Sequence, residues 1–187
     1  MSVENQVNVY QHADIVTGCQ RNERRAQAEL YRLYGRAMYN ICLRMVGSAE
    51  TAEDVLQNSF IDIFTKIDSF RFEATIGAWI KRIVINNCIN HLKKKRLEFA
   101  ELNETYGKHI ADDGATETVH FNIEKVNTAI HKLPEGYRVV FSLYALEGYD
   151  HDEIGQILGI TEATSKSQYS RAKAKLRDML GSPQQLM

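Results

Sequence analysis

Two stretches carry side chains whose type and spacing suit contact with nucleic acid. In WIKRIVINNCINHLKKKR, residues 79–96, Arg82, Asn86 and Asn90 recur every fourth position and lead into Lys93 and Lys94. On a helix that spacing makes one continuous polar line. A carboxamide both donates to and accepts from base edges, and neighbouring cations neutralise phosphates. Asparagine is a mediocre helix former, so Asn86, Asn87 and Asn90 together weaken the helix unless they have a use. Asn87 falls toward the apolar side and suits a buried polar contact. A solvated helix end with one buried asparagine is the other reading of the same residues. The second stretch, TEATSKSQYSRAKAK from Thr161, places Lys166, Ser167, Ser170 and Arg171 on what reads as the outer side of a helix.

The elements that must hold these residues are legible as helices. Leu30, Leu33, Tyr34, Ala37, Ile41 and Met45 recur at helical spacing, Gly47 supplies a C-terminal stop and Ser48 a following N-cap. The next helix has Ala52, Val55, Leu56, Ser59, Ile63 and Ile67 as its apolar stripe, with Asp54, Gln57, Asn58 and Asp62 elsewhere on its circumference. The loop DSFRFEA follows, then Thr75 as the cap of a helix whose buried side is Trp79, Ile80, Ile83 and Val84. Further on, Asp150-x-x-Glu153 is a capping box ahead of Ile154, Ile157 and Leu158, Gly159 makes a turn and Thr161 caps one more helix. On that last helix Ala163, Tyr169, Ala172 and Leu176 are expected to pack inward. A short helix, a glycine turn and a second helix with a cationic outer side form a helix-turn-helix, which lays its second helix in a major groove.

Two prolines, eleven glycines and a three-to-four apolar period make the expected fold class all-α. The 187 residues are 44% hydrophobic, enough to bury a core in one domain or two small ones. Net charge is −1, but it is segregated: Lys81–Arg96 holds six bases and no acid, whereas Leu97–Glu124 is net −6. That acidic segment, including ELNETYGKHIADDGATETVH, lacks an apolar period and reads as a flexible linker. The expected organisation is a helical domain over 1–97, the linker over 98–122 and a second helical domain over 123–187.

Cys19, Cys42 and Cys88 form no CxxC pair and are expected to be reduced, buried thiols. The six histidines are scattered, no glycine-rich phosphate loop occurs, and no nucleophile stands beside a base. We therefore expect no catalytic residues, no metal and no cofactor. No segment approaches the roughly 20 apolar residues of a membrane span, and the start of the chain does not read as a signal peptide, so a cytoplasmic location with no membrane insertion is expected.

The motifs together resemble the extracytoplasmic-function (ECF, group 4) sigma factors of the sigma-70 superfamily. AEDVLQNSF (Ala52–Phe60) and DSFRFEATIGAWIKRIVINN (Asp68–Asn87) are similar to that family's region 2. Leu133-Pro134, Tyr137-Arg138, Glu153-Ile154-Gly155, Thr164-Ser165-Lys166-Ser167-Gln168 and Arg171-Ala172 are similar to its region 4. The order of the two halves also matches.

The resemblance implies a sigma factor that binds core RNA polymerase, recognises minus-35 and minus-10 promoter DNA and promotes strand opening. Carried over by position, Asp54, Gln57, Asn58 and Phe60 would dock on the coiled coil of the polymerase's largest subunit, and region 4 would meet its flap. Ser69, Phe70, Arg71, Phe72, Thr75, Trp79, Arg82, Asn86, Asn90, Lys93 and Lys94 would serve the minus-10 element, with Phe70 and Phe72 as stacking groups or loop anchors. Thr164, Lys166, Ser167, Ser170, Arg171 and Lys173 would face the minus-35 element. Such proteins are usually restrained by an anti-sigma factor or another signalling regulator. Ser165, Gln168 and Tyr169 depart from the family's usual recognition helix, and Asn58 replaces a common acid. The alternative is a LuxR-type helix-turn-helix regulator with a helical N-terminal sensor or interaction domain.

Overall fold

The computed structural model describes residues 9–100 and 123–181, with side chains placed for 9–94 and 124–181. Every regular element among them is helical, in accord with the all-α expectation. The chain divides into two compact units, Met1–Glu98 and Phe99–Met187. From residue 101 on, the expected acidic linker lies outside the described residues.

The first unit contains α1 (Ala13–Gln20), α2 (Arg24–Val46), α3 (Ala49–Lys66), a 3-10 turn (Ile67–Ser69) and α4 (Ile76–Ala100). Local chemistry sets the boundaries. Gly47 ends α2 in the left-handed region, φ 80°, its N–H donating to Leu43 O. Ser48 Oγ then accepts from Thr51 N at 3.4 Å to open α3, and Thr75 Oγ1 accepts from Ala78 N at 3.2 Å to open α4. All six residues of the expected stripe, five on α3 and Ile67 in the 3-10 turn, are buried. Ile63, Ile76, Ile80 and Ile85 are among the fully buried side chains, each contributing about 1.5–3 kcal/mol relative to exposure. The three cysteines are buried, and a hydrogen bond to Cys42, added to burial, drives the Cys88 thiol well above its usual pKa. On α2, Ala37 is exposed and Met38 buried in its place. Leu30, Ile41 and Met45 are buried as the spacing predicts, so the departure is confined to position 37.

The second unit contains α5 (Ile123–His131), α6 (Glu135–Phe141) continued by a π turn (Ser142–Leu146), α7 (His151–Leu158) and α8 (Glu162–Gly181). Its core joins Ala129, Ile130 and Leu133 from α5 and its end to Ala172 and Leu176 of α8, with Tyr137 and Phe141 packed against them. Arg138 is buried and Nη1 donates to Leu133 O at 3.1 Å. The Leu-Pro/Tyr-Arg motif is thus a structural clamp between α5 and α6. Asp150 forms the full capping box: its side chain accepts from Glu153 N at 2.8 Å and the Glu153 carboxylate accepts from Asp150 N at 2.9 Å. Gly159 takes φ 70°. At Gly155 a Cβ would stand 2.9 Å from Ile160 O, so only glycine lets the turn close onto α7.

Candidate nucleic-acid interface

On α4, Arg82, Asn86, Asn90, Lys93 and Lys94 are all exposed, so the line expected from the four-residue spacing faces solvent. Asn87 points the other way, donating to Ser59 Oγ at 3.2 Å and to Asp62 Oδ2 at 3.0 Å. Ser59 Oγ itself donates to Val55 O at 2.6 Å, so the polar contact inside the α3–α4 interface is satisfied. Adjacent asparagines therefore have different tasks.

The loop before α4 is built on aromatic rings. Phe70 is only 5% exposed, lodged between Phe72 at 4.9 Å and Trp79 at 5.5 Å. It anchors the loop rather than offering a stacking face. Phe72 and Trp79 are half-buried, and Arg71 and Ser69 are exposed. Ser69 Oγ donates to Lys66 O at 2.7 Å, and the cap Thr75 is half-buried. Phe72 has φ 57°, the left-handed region that a bulky side chain rarely adopts. That conformation is held by rings on both sides: Phe70 inside and Tyr10 outside, the latter stacked at 5.6 Å.

On α3, Asp54, Gln57 and Asn58 share an exposed face. Phe60 does not belong to it. The side chain is 4% exposed and packs against Tyr31 at 4.7 Å and Phe64 at 5.9 Å, because it follows Leu56 by one helical turn on the inward stripe. The face gains instead Ile61, 63% exposed, which sequence reading missed. Its signal was available: Ile61 is a large aliphatic residue out of phase with the 52–55–56–59–63 stripe.

Thr161 Oγ1 accepts from Thr164 N at 3.1 Å and opens α8. Lys166 is exposed and ion-paired with Glu162 at 2.7 Å, and that hydrogen bond raises its pKa. Lys173 is exposed, its ammonium 4.8 Å from the Tyr169 ring centre. Thr164, Ser167, Ser170 and Arg171 are half-buried, Ser167 Oγ donating to Thr164 O. One inward expectation changes, and one unexpected residue turns inward. Ala163 is exposed, whereas Ser165 is fully buried with Oγ 2.9 Å from His151 Nδ1. Positions 165, 172 and 176 lie on one side at seven- and four-residue intervals, and position 163 does not. Ser165, noted above as a departure from the family's usual recognition helix, is a packing residue. His151 stacks on Tyr144 at 4.2 Å, and Tyr144 meets Tyr169 at 4.5 Å, fixing α8 against α7 and the π turn. Burial, then Lys166, lowers the His151 pKa.

Among the described residues no group of three or more His, Cys, Asp or Glu could hold a metal ion. No helix among them is long and apolar enough to cross a membrane.

A cationic, amide-bearing helix face in one unit and a helix-turn-helix in the other define a two-part helical DNA-binding protein. Comparison with known sequences gives the family: Sigma-70 region 2 matches residues 30–98 and Sigma-70 region 4 matches residues 123–176. The ECF RNA polymerase sigma factor SigW of Bacillus subtilis (strain 168) is 32% identical over 171 residues, covering 86% of this chain and 91% of SigW. The ECF sigma factor SigM of Mycobacterium tuberculosis (strain ATCC 35801 / TMC 107 / Erdman) is 27% identical, covering 91% of this chain and 85% of that protein. Among solved structures, the sigma factor RpoE, in complex with the anti-sigma factor NepR from Bartonella quintana, has the same fold at TM-score 0.52 and 21% identity, over 81% of this chain and 94% of that one. CnrH, in complex with the cytosolic domain of CnrY, matches at TM-score 0.50 and 22% identity, over 92% and 96%. The chain belongs to the ECF sigma factors of RNA polymerase. The region 2 match removes the LuxR-type alternative, whose N-terminal half would be a sensor.

Proposed function

We propose that this chain, as an ECF sigma factor, brings core RNA polymerase to promoters and promotes strand opening, doing no bond chemistry itself. The observation that carries the reading is the exposed Arg82–Asn86–Asn90 line in the region 2 unit, opposite the buried Asn87 contact. An amide needed only for packing has no reason to recur on the solvent side.

The division of labour follows from the surfaces. The α3 face of Asp54, Gln57 and Asn58, with Ile61 as its apolar anchor, docks on the coiled coil of the polymerase's largest subunit, and region 4 meets the flap. Phe60 supports that face from within. The cationic side of α8, with Lys166, Ser167, Ser170, Arg171 and Lys173, reads the minus-35 duplex in its major groove, with Thr164 at the helix entry. Once polymerase has docked, the loop Ser69–Thr75 and α4 capture unpaired minus-10 strand. Phe72, Arg71 and Trp79 border the exposed base, Asn86 hydrogen-bonds it, and Lys93 and Lys94 neutralise the backbone alongside. Unstacking a base costs a few kcal/mol, and one aromatic stack contributes about 1–3 kcal/mol, so stacking and amide contacts together offset it. The protein acts in the cytoplasm, where polymerase is, and an anti-sigma factor or other signalling protein is the expected restraint.

Run-off transcription with purified core polymerase, with and without this chain, tests the reading. The expected result is promoter-dependent transcripts only when the chain is present; none from any genomic template would overturn it. Asn86→Ala should leave recruitment to duplex promoter intact and reduce permanganate reactivity of the opened strand.

A further inference from the structure

We infer that Tyr10, held against Phe72, is a stacking platform for a second unpaired nucleotide of the melted strand, within a few nucleotides of the one assigned to Asn86. The inference rests on the reading of α4 as the face that holds unpaired DNA.

Tyr10 is 59% exposed, a large exposure for an aromatic ring that is also stacked on a neighbour. Its inner face lies on Phe72 with the rings 26° apart, Phe72 is backed by Phe70, and Phe70 in turn meets Trp79. Four rings thus run from core to solvent, and the last leaves a face open. Phe72 is held in the left-handed region to take part, so the loop accepts backbone strain to place a ring there. A tyrosine that merely closed the chain over the core would not leave more than half of its surface in water.

A cleft of about 390 Å³ adjoins the next residue, lined by Gln11, Tyr34, Thr75, Gly77, Ala78 and Lys81. It holds the three chemistries a nucleotide needs: an aromatic wall, an amide that pairs with a base edge and an ammonium for a phosphate. Gly77 keeps the cleft open toward Tyr34, since a Cβ there would stand 3.0 Å from Tyr34 Cε1. The cleft also continues the α4 line. Ala78 is exposed and precedes Arg82 by four residues, as Arg82 precedes Asn86, so cleft and Asn86 are separated by about 12 Å of helix rise. In a duplex a strand advances about 3.4 Å per nucleotide, so a stretched strand bridges that distance in a few nucleotides or fewer. The exposed cations Arg71 and Arg82 flank the path, and Asp68 and Glu73 are the acids of the same loop. A polyanionic DNA strand therefore fits this surface better than an apolar protein segment.

The test uses the full chain with core polymerase and a fork-junction promoter in which 2-aminopurine is moved through the single-stranded non-template part. Stacking on tyrosine quenches this base. With wild type, one position beyond the Asn86-dependent one should be quenched; Tyr10→Ala should restore its fluorescence and weaken fork binding about tenfold, and Tyr10→Phe should behave as wild type. Lys81→Ala should weaken binding without restoring fluorescence at that position. Quenching at every position unchanged by Tyr10→Ala, with the fork still bound, would overturn the inference and leave the assignment of Asn86 standing. Weaker capture of core polymerase by Tyr10→Ala with unchanged quenching would make the ring a protein contact and also overturn it. If wild-type holoenzyme bound no fork DNA, the underlying reading would fail, and this one with it.

Discussion

Replacing Lys166 and Lys173 of α8 with alanine should change the salt dependence of upstream promoter binding by a calculable amount. Each phosphate neutralised by a protein cation contributes about 0.9 to the slope of log affinity against log salt. Two contacts contribute about 1.8, so raising salt from about 50 to about 200 mM should weaken wild type about 12-fold more than the double variant. The structure refines this for each lysine. Among the described residues Lys173 has the Tyr169 ring at 4.8 Å and no carboxylate as partner, and it should lose its full share. Lys166 is paired with Glu162 at 2.7 Å and must exchange that carboxylate for a phosphate, so its share should be smaller. Glu162→Gln should therefore tighten binding and raise the effect of Lys166→Ala to that of Lys173→Ala. The assay is fluorescence anisotropy of labelled upstream duplex with the full chain and core polymerase over a salt series; the polymerase's own slope cancels between variants. Both lysines are exposed, so thermal unfolding should be nearly unchanged. An unaltered slope in the double variant would refute the placement of α8 against phosphates. An equal effect of Lys166→Ala in both Glu162 backgrounds would refute the competition.

The two neighbouring asparagines should separate cleanly in stability. Asn87→Ala loses its hydrogen bonds to Ser59 and Asp62 and should cost about 1–2 kcal/mol by denaturant unfolding, whereas Asn86→Ala should be close to neutral. Gly155→Val places a Cβ 2.9 Å from the Ile160 carbonyl, which belongs to backbone and cannot swing aside. It should cost about 1–3 kcal/mol and weaken duplex binding, as read by melting and anisotropy; wild-type values in both would refute the close-approach argument.

Periodicity and capping chemistry are local, and whatever depends on them was readable from the sequence. Gly47 followed by Ser48, Thr75, the Asp150–Glu153 box, and Gly159 followed by Thr161 mark helix ends through bonds within four residues of chain. The four-residue recurrence of Arg82, Asn86 and Asn90 likewise places them on one face whatever packs behind. Sequence alone also carried the two-part sigma-type organisation, because each half has its own motif. Other assignments required the packed structure. Phe70 is as aromatic as Phe72, and no local rule says which of these loop rings the neighbouring helices will cover. Ser165 is buried and Ala163 exposed because α8 must meet both His151 of α7 and the core around Ala172 and Leu176, and that orientation outweighs side-chain polarity. The partners of Asn87 lie 28 and 25 residues away, and Tyr10 reaches Phe72 across three helices of intervening chain. Helical period determines which residues share a face; only tertiary packing decides which faces are covered, because that depends on groups far apart in sequence.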